Sequence, residues 1–233
     1  MPPMCGRFVQ AEDPEVYVAA FGVDRFAGDL LARSYNVAPT DAVYAVAEHN
    51  GVRQLGSFRW GLVPWWAKDR KAAARHINAR AETVPVSPAY RDSFATRRCL
   101  VPADGFYEWQ VRPKGKLPHY IYRRDGQPLA LAGLWARWRD PATGDALTTC
   151  TIVTTGPNET VAQIHDRMPV ILSADVWTTW LDPAVTDTDG LRALLTPAPA
   201  DLLTHHAVPT LVNNVANNLP ECIAPLSTPA AGT

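Results

Sequence analysis

The sequence predicts a single α+β domain with an antiparallel, barrel-like β core flanked by short helices. Three observations lead to this prediction. Short alternating or β-branched runs recur along the chain, turn signals separate them, and the helical patterns are few and brief. No repeat or linker divides the 233 residues. We therefore expect one domain over residues 1–226 and a flexible tail over residues 227–233, where small residues and proline prevail.

The first third of the chain contains a predicted helix and a predicted hairpin. Pro14–Phe21 has helical spacing and an acidic start. Val43–Ala47 and Gln54–Trp60 are predicted strands, joined by a turn at His49-Asn50-Gly51. This hairpin is the first part of the expected β core.

The middle of the chain is rich in predicted strands. Cys99–Val101 and Phe106–Trp109 flank a Pro-Ala-Asp-Gly turn. His119–Arg123 and Leu129–Trp138 are predicted to form a second hairpin around Asp125-Gly126.

The last third combines one strand with short helices. Thr148–Thr155 is β-branched and is predicted to be a buried strand. Helical patterns follow at Asn158–Gln163, Ala174–Leu181 and Gly190–Leu195. Asp175 and Asp189 are the candidate N-terminal caps of the last two helices.

Composition excludes several classes of protein. Hydrophobic residues make up 47% of the chain and charged residues 19%, as in ordinary soluble proteins. The sequence has no apolar span of about 18 residues and no signal peptide, so we expect no membrane segment and a cytoplasmic location. The four cysteines lack metal-binding spacing, and we expect reduced thiols, no metal and no cofactor. Cys99 and Cys150 lie in apolar runs and are predicted core residues.

Charge is unevenly distributed, although the net charge is only -1. From Arg53 to Arg98 there are ten lysines and arginines and three acidic residues. Such a block is a candidate anion-binding face, although charge alone favours an ordinary solvated surface.

Cys5 is the most reactive candidate, because Met4 directly precedes it. We expect translation to start at Met4, or a leader Met1–Met4 to be removed, so that Cys5 becomes the first residue. Its free amine and thiol can then trap an aldehyde as an imine and close a thiazolidine ring. Alternatively, the thiol can attack a carbonyl with the amine as its base.

An aromatic loop precedes the densest basic run. Trp60, Trp65 and Trp66 lie among Gly, Pro and Lys between positions 60 and 68. Any single tryptophan is readily explained as a core residue. An adjacent pair beside positive charge is typical of a base-stacking platform for single-stranded nucleic acid.

The segment Ile77–Thr83 groups three polar side chains. Asn78, Arg80 and Glu82 alternate and would share one face of a strand. A structural salt bridge between Arg80 and Glu82 and a functional role explain this pattern about equally well.

Two candidate proton-transfer groups come later in the chain. Glu108 lies between aromatic residues, where a partly apolar setting would raise its pKa towards the range of acid–base catalysis. Alternation alone also allows it to face solvent. His165 follows a predicted helix and can shuttle protons near neutral pH, or simply cap that helix.

Taken in order, these segments resemble the SRAP family, whose members are abasic-site processing proteins that are also described as SOS-response-associated peptidases. Six strings carry the resemblance and together span essentially the whole chain. They are Cys5–Phe8, Tyr35–Pro39, Trp60–Trp66, Ile77–Thr83, Arg98–Trp109 and Ile164–Pro169. A later segment, Asn213-Asn214-Val215, is also similar.

The resemblance implies a function and a set of site residues. Family members recognise abasic sites in single-stranded DNA, or at its junction with duplex, and link an N-terminal cysteine covalently to the ring-opened sugar. This linkage shields the lesion. The implied catalytic residues are Cys5, Asn78, Glu108 and His165. The implied DNA-binding residues are Arg7, Trp65, Trp66, Arg80 and Arg167.

Two other functions stay open from the sequence. An N-terminal-nucleophile amidase or peptidase would use the same Cys5, with Asn78 as an oxyanion donor, and would remove its own leader. A non-covalent module for single-stranded DNA would need only the basic and aromatic residues. A lyase side activity also stays open. With no heptads or interface helix in the sequence, we expect a monomer whose DNA binding is sensitive to salt.

Overall fold

A closed ring of five β-strands forms the centre of the fold. The computed structural model describes residues 5–226. The strands within these residues are β1 (Phe8–Gln10), β2 (Arg25–Ala27), β3 (Ser34–Val37), β4 (Ala42–His49), β5 (Val52–Trp60), β6 (Asn78–Arg80), β7 (Arg98–Ala103), β8 (Gly105–Arg112), β9 (Gly115–Arg123), β10 (Leu129–Arg139), β11 (Ala146–Thr155), β12 (Met168–Pro169) and β13 (Leu203–Ala207). The α-helices are α1 (Pro14–Phe21), α2 (Arg91–Thr96), α3 (Glu159–Ala162), α4 (Trp177–Leu181) and α5 (Thr188–Ala193). Short 3-10 helices lie at Arg70–Arg75, Ala174–Val176, Ala200–Leu202, Thr210–Asn213 and Pro220–Ile223.

A parallel contact closes the ring of otherwise antiparallel strands. β11, β10, β7, β4 and β5 pair antiparallel in that order. β5 then pairs in parallel with β11, with Arg59 opposite Thr149. Closure removes the exposed sheet edges that these five strands would otherwise present. The predicted α+β class with a barrel-like core is confirmed.

A second antiparallel sheet carries the first residues of the described chain. Its strand order is β13-β9-β8-β1-β3. Phe8 of β1 lies opposite Phe106 of β8, so the residues that precede Phe8 run beside those that follow Phe106. This pairing brings Cys5 to Glu108.

Alternate residues of the barrel strands belong to different apolar clusters. Val43 and Ala45 of β4 pack in one cluster with Phe8 of the second sheet. Their neighbours Tyr44 and Val46 pack in another cluster with residues of α1, α4 and α5. Because both sides of these strands are covered, their sequences read as apolar runs rather than as strict alternation.

Several predicted elements are confirmed. Helix α1 has the predicted bounds and ends at Gly22, which is left-handed with φ 58°. The hairpin of β4 and β5 turns at Asn50 and Gly51, both with positive φ, as a two-residue hairpin turn requires. Cys99 and Cys150 are fully buried, as predicted.

The second predicted hairpin is wrong. β9 lies between β8 and β13 in the second sheet, whereas β10 lies between β7 and β11 in the barrel. Asp125 pairs with Arg123 at 2.6 Å and accepts a hydrogen bond from the Gln127 amide. The Asp-Gly turn therefore directs the chain from one sheet to the other. Strand alternation is the same in a hairpin and in such a crossing, so the sequence pattern does not distinguish them.

The two predicted helix caps are also wrong. Asp187, not Asp189, is the N-cap of α5, where its carboxylate accepts hydrogen bonds from the first amides of the helix. Asp175 lies inside the 3-10 turn Ala174–Val176, whose N-cap is Ser173. Helix α5 begins at Thr188, two residues before its predicted start, and the 3-10 turn already begins at Ala174, so both caps lie further towards the N-terminus.

Arg98 is a buried structural cation and does not belong to the predicted anion-binding face. Its guanidinium donates hydrogen bonds to five backbone carbonyls near the ends of α2 and α4. They are those of Phe94, Ala95, Trp180, Asp182 and Val185. Burial lowers the pKa of Arg98. The side chain joins two helices to the barrel, because carbonyls of both helix ends share one donor group.

Arg98→Leu should lower the free energy of unfolding by about 3 kcal/mol or more, because several buried carbonyls lose their donor. Urea unfolding measures this change. Arg139→Leu removes an exposed arginine of β10 and should cost less than about 0.5 kcal/mol. Equal losses in the two variants would contradict the structural role of Arg98.

Candidate active site

Cys5 and Glu108 form a buried contact at the start of the second sheet. The backbone nitrogen of Cys5 donates a hydrogen bond to Glu108 Oε1 at 2.8 Å. Cys5 is 4% exposed and Glu108 is 3% exposed. Cys5 has a positive φ of 43°, which turns the chain sharply just before β1. The β1–β8 pairing described above fixes this contact.

His165 lies on the other side of the same carboxylate. Its Nε2 is 3.8 Å from Glu108 Oε2. Its Nδ1 accepts a hydrogen bond from the Arg167 amide at 3.1 Å and lies 3.1 Å from Asp166 Oδ1. Both ring nitrogens therefore face polar groups. The short helix α3 ends just before His165 and sets its position.

Burial shifts the protonation of both groups at the Cys5 contact. Burial raises the pKa of Glu108, and His165 and the hydrogen bonds from Cys5 oppose this rise. Burial and the adjacent Glu108 raise the pKa of the Cys5 thiol well above its ordinary value. The thiol therefore stays protonated at neutral pH, beside a carboxyl group whose pKa is also raised. The expectation that an apolar setting raises the pKa of Glu108 is confirmed.

Asn78 and Arg80 come from β6, which pairs in parallel with β11. Asn78 lies opposite Ile152 and Arg80 opposite Thr154 in this register. Asn78 is half-buried, and its backbone carbonyl accepts a hydrogen bond from Tyr90 Oη at 3.0 Å. Arg80 is exposed.

Arg167, not Arg80, forms the ion pair with Glu82. The Arg167 guanidinium donates to both carboxylate oxygens of Glu82, and Nη2 also donates to the Thr154 carbonyl at 2.7 Å. This bond lowers the pKa of Glu82. Of the two alternatives that the sequence left open, the salt bridge between Arg80 and Glu82 is wrong, because β6 ends at Arg80 and Glu82 lies in the following turn. Arg80 is left as an exposed cation beside the pair.

Arg7 is held by the loop that contains the late Asn-Asn-Val segment. Its Nη1 donates to Asn36 Oδ1 and to the Val212 carbonyl, both at 2.7 Å. Asn36 in turn donates to the carbonyls of Val212, Asn214 and Asn217. The guanidinium also lies 5.9 Å from the ring centroid of Trp109. The hydrogen bonds of Asn36 thus hold both Arg7 and this loop at the site.

A cavity of about 460 Å³ opens onto Glu108 and His165. Arg7, Trp109, Lys116 and Asn213 are among its other lining residues. Lys116 has no local sequence signal that would have singled it out. It reaches the cavity because the β8–β9 hairpin sets it opposite Val111. The cavity therefore combines two cations with the buried carboxyl group.

Trp65 and Trp66 do not line this cavity. They are 70% and 51% exposed, respectively, on the loop after β5. They border a separate groove of about 270 Å³. Of the sequence-predicted residues, the structure thus brings Cys5 and His165 to the carboxylate of Glu108. Arg7 lines the cavity that opens onto Glu108 and His165.

Two further observations concern membrane spans and metal sites. None of the helices in residues 5–226 is long and apolar enough to cross a membrane. Within the same residues, no group of three or more His, Cys, Asp or Glu side chains is arranged to hold a metal ion.

Glu108→Gln should remove one source of pH-dependent stability. Burial raises the folded-state pKa of Glu108 above its ordinary value of 4.5, so the folded state keeps this proton to higher pH. The free energy of unfolding of the wild type should therefore decrease as pH rises above 4.5, and it should decrease less in Glu108→Gln. Urea unfolding at several pH values tests this. Glu82→Gln is the control with the opposite pH dependence. Because the folded-state pKa of Glu82 is lowered, the stability that Glu82 contributes is lost as pH falls, and this loss should be absent in Glu82→Gln. Parallel curves for wild type and Glu108→Gln would contradict the shift.

Comparison with known proteins identifies the family. A family model described as SOS response associated peptidase (SRAP) matches residues 4–215. A Bacillus subtilis (strain 168) relative named abasic site processing protein YoqW is 43% identical over 222 residues, covering 94% of this chain and 99% of the relative. Abasic site processing protein HMCES of Xenopus tropicalis is 36% identical over 227 residues, covering 84% of this chain and 67% of the relative. A crystal structure of a Bacteroides thetaiotaomicron protein matches with a TM-score of 0.85 at 25% identity, covering 96% of this chain and all 100% of that one. The chain therefore belongs to the SRAP family.

Proposed function

We propose that this protein recognises abasic sites in single-stranded DNA and forms a thiazolidine crosslink to them through Cys5. The observation that carries this proposal is the 2.8 Å hydrogen bond between the Cys5 nitrogen and the buried Glu108 carboxylate. The names of the relatives add support, because they are called abasic site processing proteins. The crosslink would shield the lesion from strand breakage.

The reaction requires an aldehyde, an amine and a thiol. The closed abasic sugar opens to an aldehyde when a proton moves from its C1′ hydroxyl to its ring oxygen. The Cys5 amine adds to C1′, and the resulting carbinolamine loses one water to give an imine. The thiol sulfur then adds to the imine carbon while its proton passes to the nitrogen, which closes the five-membered ring.

Glu108 suits each of these proton transfers. Its Oε1 contacts the nitrogen that attacks the aldehyde, and its other oxygen faces His165. Burial raises the pKa of Glu108 above its ordinary value, which makes the carboxyl group a better proton acceptor than an exposed glutamate. His165 stands at the cavity, where it would exchange protons with the sugar hydroxyl. Asn78 would hold the sugar oxygen or the amine.

The proposal requires a free amine on Cys5. An α-amine has a pKa of roughly 7.7–8.0, so an appreciable fraction is neutral and nucleophilic at pH 7. Removal of Met4 from a chain that starts there, or of residues 1–4, would supply this amine. Residues 1–4 lie outside the described residues.

The DNA strand would lie over the arginines and the aromatic loop. Arg7 lines the active-site cavity, Arg80 is the last residue of β6, and Arg167 donates a hydrogen bond to the Thr154 carbonyl of β11. These three cations would contact phosphates. Trp65 and Trp66 are exposed and would stack against bases. The proposal includes junctions of single-stranded with duplex DNA.

Protonation of the thiol weighs against the amidase alternative. A cysteine amidase attacks as the thiolate. Here burial and Glu108 raise the pKa of the Cys5 thiol, which disfavours that form. Aldehyde capture starts with the amine instead and needs no thiolate at its first step. Lyase activity stays a secondary proposal, because an imine at C1′ is also the intermediate from which strand cleavage proceeds.

A denaturing gel separates these functions. Wild-type protein incubated with a single-stranded oligonucleotide containing one abasic site should give a heat-stable shifted band. Cys5→Ala should give none, whereas Cys99→Ala, which removes a buried cysteine of the barrel strand β7, should crosslink normally. Glu108→Gln should slow crosslinking by about 100-fold, the lower end of general acid–base contributions. Reversible binding without a covalent band would overturn the proposal in favour of a binding module.

The Glu82–Arg167 ion pair predicts that substitutions of its two residues change DNA affinity in opposite directions. Glu82 competes with a phosphate for the Arg167 guanidinium. Glu82→Gln should therefore tighten binding to single-stranded DNA about two- to fivefold. Arg167→Ala should weaken binding and reduce the slope of its salt dependence by about one. Fluorescence anisotropy with a labelled oligonucleotide measures both. Weaker binding by Glu82→Gln would show that the pair, rather than the free guanidinium, contacts DNA.

A further inference from the structure

His119 is a buried histidine beside the active-site carboxyl group, and the proposed reaction does not use it. It lies directly opposite Glu108 in the β8–β9 register. Directly opposed residues share one face of a sheet, with their Cβ atoms about 4.5–5.5 Å apart. His119 is 7% exposed, and the other residues on this face include the apolar Phe106, Ile121 and Leu203. Glu108 and His119 are therefore two titratable groups side by side in an apolar layer.

A second histidine lies behind the first. His119 Nδ1 is 3.2 Å from His205 Nδ1, a hydrogen-bonding distance at which one of the two nitrogens carries a proton. His205 belongs to β13, the edge strand of the second sheet, and is half-buried. The two rings thus lead from the side of β8 across β9 to the sheet edge. Neither histidine lines the active-site cavity, so this edge is separate from it.

The second ring nitrogen of His119 faces away from His205. Nδ1 and Nε2 lie on opposite edges of an imidazole ring. Since Nδ1 is directed at β13, Nε2 is directed at the other neighbouring strand, β8, where Glu108 is the residue across from His119. Nε2 is buried and has no hydrogen-bond partner within residues 5–226. A buried ring nitrogen without a partner is costly and indicates a group that exchanges a hydrogen bond with it.

Both histidines are neutral at neutral pH. Burial, with smaller contributions from His205, Arg112 and His206, lowers the pKa of His119 to about 4. Burial also lowers the pKa of His205. Of the strands that flank β9, β8 contributes Glu108 and Arg112 to the surroundings of His119, and β13 contributes His205 and His206. Two neutral imidazoles in contact can pass a proton along without either of them keeping a charge.

We infer that His119 and His205 form a proton path between Glu108 and the edge of the second sheet, and that both are positioning residues that act through Glu108. The inference rests on the proposed function, because that function makes Glu108 the group that moves protons. DNA at the cavity would cover Glu108 and His165 on that side. The path gives the carboxyl group an exit for its proton away from the cavity.

The protons balance at each step of the path. At the start Glu108 is protonated, His119 donates its Nδ1 proton to His205 Nδ1, and His205 carries its own proton on Nε2. The Glu108 proton passes to His119 Nε2, directly or through one water. The Nδ1 proton of His119 passes to His205 Nδ1, and the Nε2 proton of His205 leaves to solvent. Glu108 is then ionised, both imidazoles are neutral with exchanged tautomers, and His119 Nε2–H faces the carboxylate.

Crosslinking rates at saturating abasic DNA test the path. His119→Phe keeps a planar ring without its nitrogens, and His119→Gln keeps hydrogen-bonding groups that cannot pass a proton. Both variants should crosslink about tenfold more slowly than wild type, less than the loss of a group that acts on the substrate itself. Their affinity for undamaged single-stranded DNA should stay unchanged. A wild-type rate in His119→Gln would show that His119 only supports the structure, and would overturn the inference.

Two adjacent histidines of β13 provide a matched pair of variants. His205 contacts His119, whereas His206 donates from Nε2 to the Ile223 carbonyl on the other face of the sheet. His205→Gln should slow crosslinking about as much as His119→Phe, and His206→Gln should leave the rate unchanged. Circular dichroism checks that all variants are folded. Equal rates in the two glutamine variants of β13 would contradict the path.

Titration of Glu108 separates this inference from the proposed function. Infrared spectroscopy follows the carbonyl stretch of the protonated carboxyl group against pH, and its loss in Glu108→Gln identifies the Glu108 band. His119→Phe removes the Nε2–H that faces the carboxylate, so the Glu108 midpoint should move to higher pH, whereas His206→Gln should not move it. If wild type fails to crosslink but the midpoint moves, the proposed function is wrong and the path stands. An unchanged midpoint in His119→Phe overturns the path, whether or not wild type crosslinks.

Discussion

The contact between the Cys5 nitrogen and Glu108 is the interaction on which the site depends. Burial raises the pKa of the Glu108 carboxyl group, which is 3% exposed, and polar groups that face its two oxygens oppose this rise and compensate for its burial. Cys5 faces one oxygen and His165 the other. The β1–β8 pairing supplies the first partner, and the end of α3 supplies the second. The second sheet and α3 thus converge on one carboxyl group.

Buried and half-buried arginines have two different roles in this structure. Arg7 and Arg167 are held by protein oxygens, so their guanidinium groups are already positioned for the proposed contacts with phosphates. Such preorganisation reduces the ordering cost of binding. Arg98 has the same chemistry but is enclosed by carbonyls and serves the fold. Local environment, rather than residue type, therefore separates the cations that we propose to contact DNA from the cation that joins helices to the barrel.

The sequence indicated the individual elements more reliably than their arrangement. Helix α1 and the β4–β5 hairpin follow from periodicity and turn residues, which are local. The partners of β9 and β10, and the pairing of Glu82 with Arg167, depend on contacts between residues far apart in the chain. The burial of Glu108 is indicated by its aromatic neighbours in the sequence. Lys116 was not indicated, because its place at the cavity depends on hairpin geometry alone.

The central claim is that the Cys5 amine and thiol together capture one aldehyde. Mass spectrometry of the protein joined to a short abasic oligonucleotide, followed by peptide mapping, tests it most directly. The account predicts an adduct equal to the summed masses less one water, located on a peptide that begins with Cys5 and resistant to alkylation of that thiol. An adduct on another residue, or on Cys5 with its thiol still free to alkylate, would contradict it.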